Sequence, residues 1–216
     1  MEITVKWLTE WTRDLLAPVL AGTWRYFKTF YHFRQPFDGG VSYLAIDAGT
    51  HGRGTYYLAF HVGVRHDRLE VSIRQLLGQE PRLSHYDRSI RCYTVNVGPK
   101  PSGAVFPIWG SWSFATTSDA EAAAGDIRTF TSGFTIPYVR RHEDLATVRR
   151  TLVDEPWLAQ NLEPYRQILM VDRLAGDEQQ ARRDLELLSE RYAAYRGRPL
   201  QEWEDFRSRF KGSRGA

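Results

Sequence analysis

Between Thr55 and Arg65 every second residue is apolar: Tyr56, Leu58, Phe60, Val62 and Val64. That period predicts a strand and places Tyr57, Ala59, His61, Gly63 and Arg65 on its opposite face. The second face is polar, flat in the middle and cationic at one end. A helix follows from about Asp67 to Leu77.

Upstream, Leu8, Trp11, Leu15 and Leu16 form the stripe of a helix over residues 5–16, which Pro18 terminates. Residues 23–34 are dense in aromatics (Trp24, Tyr26, Phe27, Phe30, Tyr31, Phe33) and read as a first strand. A turn at 35–40, a strand over Val41 to Asp47 and a glycine-rich connection over Gly49 to Gly54 complete this part. Downstream, a loop at 78–90 leads to a strand over Arg91 to Gly98. There Tyr93, Val95 and Val97 alternate with Cys92, Thr94 and Asn96. Residues 99–107 are a breaker-rich loop, and Trp109 to Ala115 can add a short strand.

From Ser118 the period becomes helical. Ser118 with Glu121 matches a capping box, and Gly133 is placed to end that helix. His142 to Val153 gives another, with Leu145, Val148 and Leu152 in register. Tyr165 to Leu174, Gly176 as terminator, and Asp177 as cap with Gln180 as box partner read as an αα-hairpin. Ala181, Leu185, Leu188, Tyr192 and Tyr195 form a narrow seam along its second helix. Beyond Gly197 and Pro199, a final short helix carries Leu200, Trp203, Phe206 and Phe210. The expected fold is α+β: an antiparallel sheet of four to five strands, an N-terminal helix and a C-terminal helical half. The division expected is 1–140 for the sheet part and 141–216 for a helical region packed on it.

Composition narrows the setting. The 216 residues are 42% hydrophobic, 13% aromatic and 25% charged, as in a folded globular protein. A single cysteine, Cys92, excludes an internal disulfide, and no apolar run approaches a membrane span. A cytoplasmic location is expected. The net charge of +3 conceals 25 Arg against 4 Lys. Arg suits phosphate recognition, yet acidic residues interleave everywhere and no basic face stands out. The basic tail, Arg207, Arg209, Lys211 and Arg214, reads as a solvated end.

Candidate chemistry is thin. Asp47-Ala48-Gly49-Thr50 matches a phosphate-binding turn, but a hairpin turn explains the same residues. His61 and His66 differ by five and point to opposite faces of a strand, and His142-Glu143-Asp144 lacks a second histidine at helical spacing, so no metal site is expected. Cys92 sits mid-strand and reads as structural, and no nucleophile elbow occurs. Asp67 and Glu70 lie one helical turn apart beside Arg65 and Arg68, as surface ion pairs do. No catalytic residue and no cofactor are expected. Recognition is left, with Tyr57, His61, Arg65, Trp109, Trp112, Trp203 and Phe206 as the candidate partner-binding residues.

Several pieces in order then carry a resemblance: the first helix, the aromatic strand from Trp24 to Phe33, Tyr93-Thr94-Val95-Asn96-Val97-Gly98, and the isolated Trp112. The helix ending near Gly133, Ile136-Pro137-Tyr138, the Asp144 to Leu152 helix and the Leu174-Ala175-Gly176-Asp177 hairpin continue it. Together they resemble the bacterial domain of unknown function 4304 family, which includes predicted immunity proteins of polymorphic toxin systems. The resemblance implies action by binding, with a toxin as partner and no catalytic residues. Rival expectations are a subunit of a larger assembly, docking through the Leu200 to Phe210 helix, and a nucleic-acid-binding domain using Arg on the sheet.

Overall fold

Thr4 sets the start of the first helix, α1 (Val5–Leu16): its hydroxyl accepts from the Trp7 amide at 3.1 Å, satisfying an otherwise open donor. The computed structural model describes residues 2–52, 54–83, 90–93, 111–154, 164–193 and 197–213. These form two compact units, one of residues 1–64 and 91–143, the other of 65–90 and 144–216. The expected residues 94–98, the loop 99–107, Trp109, Tyr195 and Arg214 lie outside the described residues.

The sheet follows chain order through β1 (Arg25–Phe27), β2 (His32–Phe37), β3 (Gly40–Gly52), β4 (Thr55–His66) and β5 (Ile90–Tyr93), and β6 (Trp112–Phe114) pairs antiparallel with β4. The fold class is therefore α+β, as expected. The aromatic run at 23–34 is not one strand. It folds back on itself so that Phe27 faces His32 and Arg25 faces Arg34. A 3-10 turn at Lys28–Phe30 and a left-handed Tyr31 (φ 48°) make the reversal. The Tyr31 carbonyl accepts from the Ile46 amide at 2.9 Å, which ties this unusual backbone to the next strand but one.

A second difference lies at the glycine-rich connection. Strand β3 runs on to Gly52, through the Asp47 to Thr50 stretch read as a turn, and the reversal uses Gly52 and Gly54 at positive φ. Asp47 is thereby a strand residue. Register then sorts the sheet into two faces. Tyr26, Phe33 and Leu44 share one, and Phe27, His32 and Ala45 share the other.

Helices of the first unit cover the Leu44 face. Trp11 of α1 meets Phe114 edge-on at 6.5 Å, and Phe114 stands opposite Tyr56. Helix α3 (Thr117–Phe130) brings Phe130 against Trp112 at 5.3 Å, and Trp112 packs on Phe60 at 5.7 Å. The cap is Thr116 with Asp119, two residues before the expected Ser118 and Glu121, because the Thr116–Asp119 pair closes both bonds of the box. Nor does Gly133 end the helix. A π-helical turn, Thr131–Thr135, carries the chain into α4 (Ile136–Arg141). Just beyond, Glu143 accepts from the buried Ser42 hydroxyl of β3 at 2.8 Å.

The second unit contains α2 (Asp67–Leu76), α5 (Leu145–Asp154), α6 (Pro164–Leu174), α7 (Glu178–Tyr192) and α8 (Arg198–Gly212). Leu69 and Ile73 of α2 pack with Met170 and Val171 of α6. Gly176 takes φ 73° at the hairpin, and Asp177 caps α7 by accepting from the Gln180 amide at 2.9 Å. The reciprocal half of that box is absent, since the Gln180 side chain donates to Asp184 instead. Around Tyr165 gather Tyr192, Trp203 and Phe206, with ring centroids 5.0–5.2 Å away. Helix α8 continues to Gly212, so Arg207, Arg209 and Lys211 belong to a helix rather than to a loose end, and Arg209 pairs with Asp205. Among the described residues no helix is long and apolar enough to cross a membrane.

Candidate functional site

The face of β3 and β4 turned away from α1 carries Asp47, Gly49 and His51 on one strand and Tyr57, Ala59 and His61 on the other. Strand alternation puts them there, and the hairpin between Gly52 and Thr55 brings the two rows side by side. The Asp47 carboxylate is the hub. It accepts from the Tyr57 hydroxyl at 3.5 Å and from His61 Nε2 at 3.3 Å. His61 and Asp47 side chains are each 26% exposed.

Gly49 sets the position of the phenol. A Cβ at residue 49 would lie 2.5 Å from Tyr57 Cε1, closer than any side chain tolerates, so the ring lies across bare backbone. The exposed His51 ring stands 4.8 Å from the Tyr57 ring, tilted by 33°. Burial, reinforced by the Asp47 charge and hydrogen bond, pushes the Tyr57 hydroxyl above the ordinary phenol range. Tyr57 is therefore a proton-bearing donor toward Asp47 and not a phenolate.

An acid bonded to a histidine is half of a nucleophilic triad. Ser113, the serine of β6, does not supply the other half. It stands opposite Tyr57, four residues along β4 from His61, or about 13 Å at the rise of a strand. Its hydroxyl is buried without a hydrogen-bond partner. Among the described residues no three His, Cys, Asp or Glu side chains gather closely enough to hold a metal ion.

Of the expected recognition residues, the structure joins Tyr57 and His61 through Asp47, a residue the turn reading had set aside. The signal was present in the alternation of Asp47, Gly49 and His51, once β3 is allowed to run past Asp47. Arg65 is counted with the second unit and donates to Asp67 at 2.6 Å, with its side chain only 13% exposed. Trp112, Trp203 and Phe206 are corrected from contact residues to core. Trp112 is buried between Phe60 and Phe130 and donates to Asp126 at 2.9 Å. Trp203 and Phe206 are buried against Tyr165, because a large ring finds more apolar area inside than on a helix surface. With Phe210 also buried, the last helix has no apolar stripe left for docking.

The second unit holds a buried charged cluster of its own. Arg149 of α5 donates to Asp172 of α6 and to Asp184 of α7, and Asp184 also accepts from Gln180 at 2.9 Å. Asp172 is 2% exposed and its second oxygen has no hydrogen-bond partner. Burial, with Asp184 nearby and only partly offset by Arg149, pushes Asp172 up to about 7. Two carboxylates on one guanidinium leave one negative charge uncompensated. The cluster fixes three helices to one another, and its cost depends on pH.

No family model matches this chain, and neither a curated protein nor a solved structure is detectably similar to it.

Proposed function

We propose that this protein acts by binding another protein rather than by chemistry, and that the partner is a bacterial toxin which it occludes. The observation that carries the binding reading is the linkage of Tyr57 and His61 through Asp47 on one sheet face. Asp47 bonds both Tyr57 and His61, and two neighbouring strands hold Asp47 and His61 at partial exposure. Such a group loses little conformational entropy on being covered, which favours recognition. The distance to the Ser113 hydroxyl argues against an acyl-transfer role. The toxin as partner rests on the family resemblance drawn from the sequence.

Co-expression with the products of neighbouring genes tests it. A stable complex, suppression of toxicity, and loss of both on Tyr57→Ala with His61→Ala are the expected results. A complex unaffected by that double change would move the contact surface elsewhere, and no complex with any neighbour would remove the toxin reading. The assembly-subunit reading loses support, since the helix assigned to docking contributes its rings to the core.

A further inference from the structure

Two of the four large apolar side chains exposed among the described residues, Phe27 and Tyr31, lie on the β1–β2 hairpin. The chain around them has a distinctive charge. Between Asp14 and Asp38 there is no acidic residue, while Arg25, Lys28, His32 and Arg34 alternate with seven aromatics. Arg25 and Lys28 are exposed, and no carboxylate among the described residues pairs with either. Tyr31 is 52% exposed and is held in the left-handed region by the bond from Ile46 to its carbonyl. A bulky residue in that region points to a role for its side chain, because a glycine would take the same backbone without strain.

The rings are ordered in layers. Phe27 and Phe30 each lie against His32, at centroid distances of 5.8 and 5.6 Å and interplanar angles of 30° and 13°. The Arg34 guanidinium sits 4.3 Å over the Phe27 ring and 5.6 Å from that of Tyr43. This edge of the sheet thus offers flat π-faces beside cations, while Glu10 and Asp14 of α1 bear on Tyr26, which shares the opposite face with Phe33 and Leu44. We propose that the β1–β2 hairpin binds single-stranded nucleic acid, with Tyr31 and the outer face of Phe27 stacking bases and Arg25 and Lys28 meeting phosphates. Single strands fit better than duplex, since stacking needs splayed bases and β1 is too short to fill a groove. The surface is also too polar for a membrane anchor, with Lys28 and Thr29 exposed beside the rings. It is built on β1 and β2, between which the Tyr31 carbonyl bonds the amide of Ile46 beside Asp47, and its assignment to nucleic acid does not rest on the toxin reading.

The test is fluorescence anisotropy of labelled 12-mer dT and U oligonucleotides titrated with the full chain between 50 and 300 mM salt. Binding is expected to weaken with salt, with a logarithmic slope of about −1.5 to −3 for two to four phosphate contacts. Arg25→Glu with Lys28→Glu should flatten that slope. Tyr31→Gly is the decisive variant, because it removes the ring while easing the backbone. It should keep or raise the melting temperature yet weaken binding about tenfold or more. Absence of binding at 50 mM salt would overturn the proposal. So would equal affinity of Tyr31→Gly, or a polyglutamate 12-mer competing as well as the oligonucleotide, which would make the patch a general anion or protein-binding surface.

Discussion

Gly49 and Tyr57 share one small volume: the phenol ring occupies the space in which any side chain at residue 49 would have its Cβ. The contact couples two strands and sets where the Tyr57 hydroxyl meets Asp47. Gly49→Ala should therefore push the ring aside and break the 3.5 Å bond. The expected loss is about 1–3 kcal/mol, the range for overpacking. In a Tyr57→Ala background the same change should cost little, because the ring is gone. A double-mutant cycle by denaturant unfolding checks this, and additive losses would show that the two residues do not compete for the space.

Asp172 gives the second unit an unusual pH dependence. Its folded pKa of about 7 lies above the ordinary carboxyl value, so between about pH 4 and 7 the folded state holds a proton that the unfolded state has released. Stability from this group is thus greatest at low pH and declines as pH rises toward 7, after which the penalty is constant. Asp172→Asn keeps an oxygen for Arg149 but removes the titration. Between pH 5 and 8 the wild type should lose stability relative to this variant by roughly one to a few kcal/mol. Parallel pH profiles of the two proteins would show that Asp172 is ionised throughout.

Which parts of this architecture the sequence discloses depends on whether a residue's position is decided locally. The α1 stripe, the strand from Thr55 and the Gly176–Asp177 hairpin all follow from period and cap chemistry within a few residues. The reversal at Tyr31 could not be read, since the aromatic run has no glycine to announce a turn and the left-handed backbone is held by Ile46, fifteen residues away. Gly133 misled for the opposite reason. It is a breaker by propensity, but the π-helical turn absorbs it and the flanking Phe130 and Tyr138 are buried on either side. Tyr57 and His61 were legible as one face. Asp47 was not, because its role appears only when the neighbouring strand is laid beside it.

Thr116 and Asp119 hold the start of α3 by mutual bonds, and Asp119 accepts from both the Ala115 and Thr116 amides at 2.8–2.9 Å. Those bonds hold its carboxyl below the usual range. The stability they give is present above the ordinary carboxyl pKa and is lost as pH falls through the lowered one. Thr116→Ala should cost about 1 kcal/mol by chemical denaturation at pH 7, whereas Ser118→Ala should be near neutral. A larger loss from Ser118 would return the cap to the position first expected from the sequence.

Trp203 supplies the sharpest distinction between a docking helix and a core helix. Its ring stacks on Tyr192 at 5.3 Å and meets Tyr165 edge-on at 5.0 Å, and Phe206 and Phe210 are buried beside it on the same helix face. Removing residues 197–216 would therefore strip the Tyr165 cluster of its cover rather than release an accessory helix. The truncated chain is expected to lose the cooperative unfolding of the second unit and to expose apolar surface to a dye such as ANS. Trp203→Ala should destabilise by about 3–5 kcal/mol with the chain otherwise intact. If the truncated protein melted as sharply as the full chain and bound no dye, the helix would have to be peripheral, and its rings would become available to a partner again.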